Sequence, residues 1–233
     1  MHLVLLPGMD GTGKLFRRFI DSLPSGITAT AVSYPSQQPL DWDELRELVL
    51  GQIPEEPFAL VAESFSGPIA YAIAAKPPPN LRALVLCASF VSNPRSPFLN
   101  LLRPLLAPVV FRQHLPAFVA RRIMVDAEAD DELVRELQTI GPKVSPRVWN
   151  FRAKLILNLR QPSLSAGRDL PILYLQASHD RLVPPRCAEE IQQLSPQTKV
   201  EVISSGHLIL QNKPQAAAAT ICKFLNAIPK QTS

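Results

Sequence analysis

Residues 57 to 68 read PFALVAESFSGP, a short apolar run followed by a serine among small residues and then a proline. The apolar run is typical of a buried strand. Pro68 suits the first turn of a following helix, where its missing N–H is not needed. Ser64 therefore lies between a predicted strand and a predicted helix, with Ala62 and Ser66 two residues away on either side. This pattern is typical of a nucleophile elbow, a tight turn that presents a serine hydroxyl at the edge of a sheet.

The residues flanking Ser64 are small, but neither is the glycine of the usual G-x-S-x-G pattern. Small flanks are needed because larger side chains would contact the adjoining strand or helix in so tight a turn. The stretch alone equally fits an ordinary Ser-Gly turn between a strand and a helix. Residues elsewhere in the chain must therefore decide between the two interpretations.

The composition indicates a globular protein with a sizeable core. The chain has 233 residues, of which 46% are apolar and 19% are charged, and α/β folds of this length are often one domain. Its net charge of +4 gives no argument for a nucleic-acid partner, and we expect none. The three cysteines show no C-x-x-C pairing, so we expect neither a disulfide framework nor a zinc site.

The first six residues lack a basic start and reach Pro7-Gly8 too soon for a signal peptide. No uninterrupted apolar stretch approaches the roughly 20 residues of a membrane-spanning helix. We therefore expect a cytoplasmic protein without stable membrane insertion. The sequence gives no indication of oligomeric state.

Apolar runs of strand length alternate with helical patterns along most of the chain. Runs that are apolar throughout indicate a sheet covered on both faces, and intervening helices indicate parallel pairing. The sequence thus predicts a doubly wound, mostly parallel α/β sheet of about six strands, with its site beyond the carboxyl ends of the strands. The predicted strands are His2–Leu6, Ile27–Ser33, Phe58–Ala62, Leu81–Cys87, Ile172–Ala177 and Lys199–Ile203; the predicted helices are Lys14–Leu23, Trp42–Gln52, Ser66–Lys76, Pro185–Leu194 and Pro214–Ile228.

The alternation stops between Arg95 and Arg168, a segment rich in leucine, arginine and proline with no convincing strand. This segment holds twelve Lys/Arg against six Asp/Glu, so it is the basic part of the chain. We interpret residues 95–168 as an inserted helical cap of about four short helices over a core formed by residues 1–94 and 169–233. The alternatives are a crossover whose extra helices only pack, and a basic charge that is simply solvated.

Two further residues satisfy the chemical needs of a serine nucleophile. A serine hydroxyl needs a base to take its proton, and that base usually needs an orienting acid. In this type of fold the order is serine, acid, histidine, each after a strand. Asp180 follows the strand that ends at Ala177, and His207 follows the last strand, after a glycine. The sequence therefore predicts a triad of Ser64, Asp180 and His207.

The glycine-rich turn of residues 7–13 follows the first strand and can approach a substrate closely. The N–H groups of Met9 and Phe65 are predicted to form an oxyanion hole, in which each preorganised donor contributes about 3–4 kcal/mol. Gly8 and Asp10 are candidate substrate-contact residues. For Asp10, a role in hydrogen bonding its own turn is the competing interpretation.

The same turn allows a second interpretation from another functional class. Residues 8–14 match G-x-x-x-x-G-K, the phosphate-binding P-loop, between a predicted strand and a predicted helix. The match fails at Leu15, where a hydroxyl should bind Mg²⁺, and no apolar strand ends in a second metal anchor. A P-loop protein remains a remote alternative.

With these residues assembled, the chain resembles the α/β-hydrolase superfamily over nearly its whole length. The resemblance rests on Leu6-Pro7-Gly8, on the elbow, on the Asp-x-Leu-Val-Pro run from Asp180 to Pro184, and on Gly206-His207. The opening LPGMDGTG looks like esterase, thioesterase and acyltransferase-like members, including the phytyl ester synthase type. The resemblance implies the same triad and oxyanion hole and a cap that shapes an acyl pocket. The chain departs from the family in its non-glycine flanks and in starting at the family's third strand.

We therefore expect a serine hydrolase that cleaves small-molecule carboxylic esters of short to medium acyl chains and needs no cofactor or metal. A thioesterase, an acyltransferase or a lactonase would use the same triad, and a non-catalytic binding protein would keep only the sheet. Candidate contacts with the acyl chain are Phe90, Val91, Phe98, Leu101 and residues 149–157.

Overall fold

The computed structural model describes residues 1–94, 117–126, 130–163, 165–167 and 169–229. The predicted acyl-chain contacts Phe98 and Leu101 lie outside the described residues, as do the apolar runs at 98–102, 105–106 and 109–111. Among the described residues, no helix is long and apolar enough to cross a bilayer.

Six parallel strands form one sheet in the order β2-β1-β3-β4-β5-β6, which confirms the predicted fold class. Parallel pairing places every carboxyl end at the same edge, and the register pairs Leu6 with Ala62 and Glu63 with Cys87. The chain reverses its direction across the sheet between β1 and β3, which is where ligands bind in open α/β sheets. The strands are β1 (His2–Leu6), β2 (Thr28–Ala31), β3 (Phe58–Glu63), β4 (Leu81–Cys87), β5 (Ile172–Ala177) and β6 (Lys199–Ile203).

Helices cover both faces of this sheet. A capping box formed by Asp41 and Glu44 lies at the start of the second helix. Short 3₁₀ turns span Lys14–Phe16, Ser64–Ser66 and Gly141–Lys143. The helices of the described residues are α1 (Arg17–Asp21), α2 (Trp42–Leu50), α3 (Gly67–Ala75), α4 (Ala117–Ile123), α5 (Asp131–Ile140), α6 (Pro146–Leu157), α7 (Arg186–Leu194), α8 (Ile209–Asn212) and α9 (Pro214–Asn226).

The core has one apolar cluster on each face of the sheet. Val4 and Leu60 belong to one cluster, while their neighbours Leu3 and Ala59 belong to the other. Successive residues of a strand point to opposite faces, so a strand that is apolar throughout contributes to both clusters. The central strands are buried on both sides, as their uninterrupted apolar runs predict.

One edge strand, β2, and some helix ends differ from the prediction, while the other edge strand, β6, has the predicted bounds. The predicted strand Ile27–Ser33 is shorter, because only Thr28–Ala31 pairs with β1 and, within the described ranges, no strand lies on its other side. The predicted helix Lys14–Leu23 divides into a 3₁₀ turn and α1, following a left-handed Gly13 with φ of 68°. Helix α3 begins at Gly67 rather than Ser66, and the short helix α8 was not predicted.

Helices α4 and α5 pack near the carboxyl edge of the sheet. Their apolar side chains share a cluster with Leu15, after β1, and Leu208, beside His207. The Leu208 N–H donates to the Met124 carbonyl oxygen at 3.0 Å. Arg18 of α1 also forms ion pairs with Asp130 and Glu132, with N···O distances of 2.6 and 3.1 Å.

The bounds of the predicted cap, at residues 95 and 168, remain a prediction, since both residues lie outside the described ranges.

Gly67 provides a test of the packing between α3 and the segment after β4. A Cβ at Gly67 would lie 2.0 Å from Ser89 Oγ and 2.5 Å from the Phe90 carbonyl oxygen. Because the second atom belongs to the backbone, we expect Gly67→Ala to lower the free energy of unfolding by about 2–3 kcal/mol in urea titrations.

Gly51 is the matched control, since it has φ of −71° and a Cβ there would lie 3.5 Å from the Glu47 carbonyl oxygen, an ordinary contact distance. Gly51→Ala should leave stability unchanged or raise it by about 0.5–1 kcal/mol. Equal losses in the two variants would contradict the packing described.

Candidate active site

The elbow places Ser64 at the carboxyl end of β3 in a strained conformation. Ser64 has φ of 49°, a region that non-glycine residues rarely adopt. The turn is held by Ser89, whose hydroxyl donates to the Ser64 carbonyl oxygen at 2.6 Å. Ala62 and Ser66 are fully buried, which agrees with the prediction that the flanks must be small.

His207 lies between the other two members of the predicted triad. Its Nε2 is 2.8 Å from Ser64 Oγ, and its Nδ1 is 2.8 Å from Asp180 Oδ2. The imidazole is buried, with 3% of its side-chain surface exposed. Gly206 has no room for a Cβ, which would lie 2.8 Å from the Val125 carbonyl carbon. The loop therefore depends on glycine to bring His207 under the residues that follow α4.

Asp180 is oriented by the backbone of its own loop. Its Oδ1 accepts hydrogen bonds from the N–H groups of Leu182 and Val183, at 2.8 and 2.9 Å. These bonds leave Oδ2 to face His207. The structure thus brings together three side chains from the ends of β3, β5 and β6. The geometry allows a proton to pass from the serine hydroxyl to an imidazole held by a carboxylate.

The charges around His207 favour its protonated form. Burial acts to lower the pKa of His207, but the charge and hydrogen bond of Asp180, together with the charge of Glu63, raise it above 6.5. Glu63 itself is fully buried beside the elbow, and burial raises its pKa to about 7. Gln211 donates to Glu63 Oε2 at 2.8 Å and stabilises the ionised carboxylate.

The turn after β1 is fixed from several sides. The Pro7 carbonyl oxygen accepts a hydrogen bond from the buried hydroxyl of Ser66. The Gly8 carbonyl oxygen accepts from the Gly11 N–H at 3.0 Å. Within the described part of the chain, the Met9 N–H donates to no protein acceptor. An N–H without a partner in a fixed turn suits the predicted oxyanion hole, whose second donor would be the N–H of buried Phe65.

Asp10 stabilises its own turn, which is one of the two roles that the sequence suggests for it. Its Oδ1 accepts from the Thr12 N–H at 2.8 Å and from the Thr12 hydroxyl at 2.5 Å. Burial raises the pKa of Asp10, and the bonds from Thr12 and the charge of Arg152 act in the opposite direction. Contact of Gly8 and Asp10 with a substrate remains a prediction.

Phe90 and Val91 follow β4, and each has 2% of its surface exposed. Phe90 packs with Val183 and Cys187, while Val91 belongs to the main apolar cluster on one face of the sheet. Their contact with an acyl chain remains a prediction. Leu15, at the position where a P-loop needs a hydroxyl, is buried against α4 and α5.

Sequence reasoning missed several residues that support this site. Ser66 was considered only for its small size, yet its hydroxyl bonds Tyr34 at 2.7 Å and the Pro7 carbonyl. Glu63 was given no role, and Arg152 was not singled out. Arg152 shares a helical face with Val148, four residues earlier, and that spacing could have indicated a buried arginine.

Comparisons with known proteins agree with the fold described above. A model of the Alpha/beta hydrolase family matches residues 3–220. A pimeloyl-[acyl-carrier protein] methyl ester esterase of Neisseria meningitidis serogroup C is 22% identical, over 96% of this chain and 93% of that protein.

Two solved structures have the same fold. A thermophilic esterase from Thermogutta terrifontis superposes with a TM-score of 0.77 and 20% identity, over 99% of this chain and 91% of its own. An enol-lactonase from Burkholderia xenovorans superposes with a TM-score of 0.72 and 15% identity, over 97% of this chain and 91% of its own.

The electrostatics of the site can be tested by NMR titration of the His207 imidazole. We expect its pKa to lie above 6.5 in the unsubstituted protein, because the nearby carboxylates favour the imidazolium ion. Asp180→Asn should lower this pKa most, since it removes both a charge and a charged hydrogen-bond acceptor. Glu63→Gln should lower it less.

Glu201→Gln serves as the control, because Glu201 is an exposed residue of β6. It should leave the His207 titration unchanged. A titration that is the same in Glu63→Gln as in Glu201→Gln would contradict an influence of the buried carboxyl on the imidazole.

Proposed function

The chain belongs to the Alpha/beta hydrolase family, and we propose that it is a serine esterase that cleaves small-molecule carboxylic esters of short to medium acyl chains. The observation that carries the proposal is the pair of 2.8 Å distances from His207 to Ser64 and to Asp180. The named activity of the Neisseria relative, a methyl ester esterase, adds support for ester chemistry.

The first chemical step is attack by Ser64 on the ester carbonyl carbon. His207 takes the hydroxyl proton at Nε2 as the new C–O bond forms, and Asp180 stabilises the resulting imidazolium through Nδ1. Since the base must be neutral to accept this proton, kcat/KM should fall as the pH falls through the raised pKa of His207. Burial of the pair excludes water that would otherwise weaken this interaction.

The tetrahedral intermediate carries a negative oxygen that needs hydrogen-bond donors. In this proposal the N–H groups of Met9 and Phe65 supply them. When the intermediate collapses, the imidazolium gives its proton to the departing alcohol and an acyl-enzyme remains. His207 then activates a water molecule, which attacks the acyl carbon and releases the acid and the free serine. His207 accepts or donates the proton in each of these steps.

Replacement of the nucleophile is the direct test of this proposal. Ser64→Ala and His207→Ala should each reduce the turnover of p-nitrophenyl esters by about 10⁴-fold or more, because the first removes the nucleophile and the second removes the base that activates it. The melting temperature of Ser64→Ala should change little, since the serine hydroxyl forms no contact on which the core depends. His179→Ala, at an exposed histidine beside Asp180, is the matched control and should retain full activity. Retention of most activity in Ser64→Ala would refute the proposal.

The substrate class can be tested with p-nitrophenyl esters, acyl-CoA thioesters and lactones of graded chain length. We expect the highest kcat/KM for esters of short to medium chains, and release of free acid when an alcohol is added as a competing acceptor. A preference for thioesters or lactones would contradict ester specificity, while acyl transfer to the alcohol would identify an acyltransferase.

A further inference from the structure

Arg152 is buried beneath the turn that carries the proposed oxyanion donor. Of the lysine and arginine side chains that the structure describes, it alone is buried, with 3% of its surface exposed. Within the same residues, no carboxylate lies at ion-pair distance from its guanidinium, and the charge of the Asp10 carboxyl acts on it only from farther away. Burying a charge without an ion partner is costly unless hydrogen bonds compensate for the lost water. The structure therefore has to provide compensation at this position.

Backbone carbonyls of two loops provide that compensation. Nη1 of Arg152 donates to the carbonyl oxygens of Met9 and Asp10, both at 2.9 Å. Nη2 donates to the Pro35 carbonyl oxygen at 3.1 Å. Gly11 leaves room for this group, since a Cβ there would lie 2.5 Å from Nη1. One side chain of α6 thus ties the turn after β1 to the segment after β2.

The guanidinium also contacts the second segment of the proposed oxyanion hole. Its Cζ lies 5.9 Å from the centroid of the Phe65 ring and 5.7 Å from that of Tyr34. Cation–π contacts at these distances are attractive. The Tyr34 hydroxyl in turn bonds Ser66, which holds the Pro7 carbonyl. The segments that carry the two proposed N–H donors, Met9 and Phe65, therefore both contact the buried guanidinium of Arg152.

These contacts fix the direction of the Met9 N–H. A trans peptide is planar, so the N–H of Met9 points opposite to the carbonyl of Gly8. The Gly8 carbonyl is turned into the loop by its bond from Gly11, so the Met9 N–H points outward. This peptide lies between the Pro7 carbonyl, held by Ser66, and the Met9 carbonyl, held by Arg152. Loss of the second anchor would leave this peptide held only by Ser66 and by the bond from Gly11, so the direction of the donor would be less firmly fixed.

We propose that Arg152 is a positioning residue of the reaction, which acts from α6 by holding the Met9 N–H where the oxyanion forms. This inference rests on the proposed esterase function. A donor that is already in place costs no reorganisation when charge develops, so the effect falls on kcat rather than on KM. Lysine cannot replace arginine fully, because an ammonium group lacks the planar fork that reaches carbonyls of two loops.

The test compares Arg152→Met and Arg152→Lys with Arg147→Met, a matched control at an exposed arginine of the same helix. Activity on the best p-nitrophenyl ester gives kcat and KM. Inhibition by a trifluoromethyl ketone, which forms a tetrahedral oxyanion adduct with the serine, reports on the oxyanion hole. Hydrogen exchange of peptides covering residues 7–13 reports on the turn, and the melting temperature reports on folding.

We expect Arg152→Met to lower kcat by about 10–100-fold, the size of effect that misplacing a reacting group has, and to change KM by less than about 3-fold. Affinity for the ketone should fall in parallel, and exchange should rise in residues 7–13 but not in the central strands. Arg152→Lys should lie between Arg152→Met and the unsubstituted protein. Arg147→Met should match the unsubstituted protein in every measurement.

A folded Arg152→Met with the kcat of Arg147→Met would overturn the inference, as would a loss of kcat with unchanged ketone affinity. If Arg152→Met does not fold, Arg152→Lys decides: a normal kcat overturns the inference, and a reduced kcat with faster exchange in residues 7–13 supports it. An unsubstituted protein that turns over no ester overturns the proposed function, and the inference falls with it. Turnover that depends on Ser64 but not on Arg152 overturns the inference alone.

Discussion

The two hydrogen bonds of the His207 ring join segments that are far apart in the chain. Ser64 is 143 residues from His207, and Asp180 is 27 residues from it, yet both contacts measure 2.8 Å. The parallel sheet makes this possible, because β3, β5 and β6 all end at one edge. Other features of the site support these two contacts. Ser64 has a positive φ, and backbone N–H groups orient Asp180. Gly206 lets the chain before His207 pack against Val125, which follows α4.

A second network fixes the turn opposite the histidine. Ser66 stands where a glycine is usual, and its hydroxyl links the elbow to Pro7 and Tyr34, which a glycine could not do. Arg152 completes the network from α6 through three carbonyl oxygens. The turn is therefore set by both the core and the helical segment that follows residue 116. Donors fixed before the substrate binds are the main source of electrostatic stabilisation in acyl transfer.

The sequence was sufficient for the parallel sheet and for the placement of Ser64, Asp180 and His207 after strands that end at one edge, because parallel pairing and the ends of the strands follow from the pattern of apolar runs and helices. It was insufficient where contacts between distant parts of the chain determine the local structure. The ends of β2 depend on its single neighbour, β1. The burial of Arg152 depends on carbonyl groups some 140 residues earlier in the chain. Glu63, at the end of the predicted elbow strand, could border the pocket but had no catalytic role in the sequence reasoning, and only its burial and its charge effect on His207 reveal its influence.

Activation of Ser64 as a nucleophile underlies all of the proposed chemistry. Its most direct test is reaction with a fluorophosphonate, followed by mass spectrometry of the digested protein. We predict one phosphonyl adduct per chain, on the peptide that contains Ser64, and no adduct when the protein is unfolded in acid before exposure to the reagent. An unlabelled Ser64 in the folded protein, or an adduct confined to another residue, would contradict it.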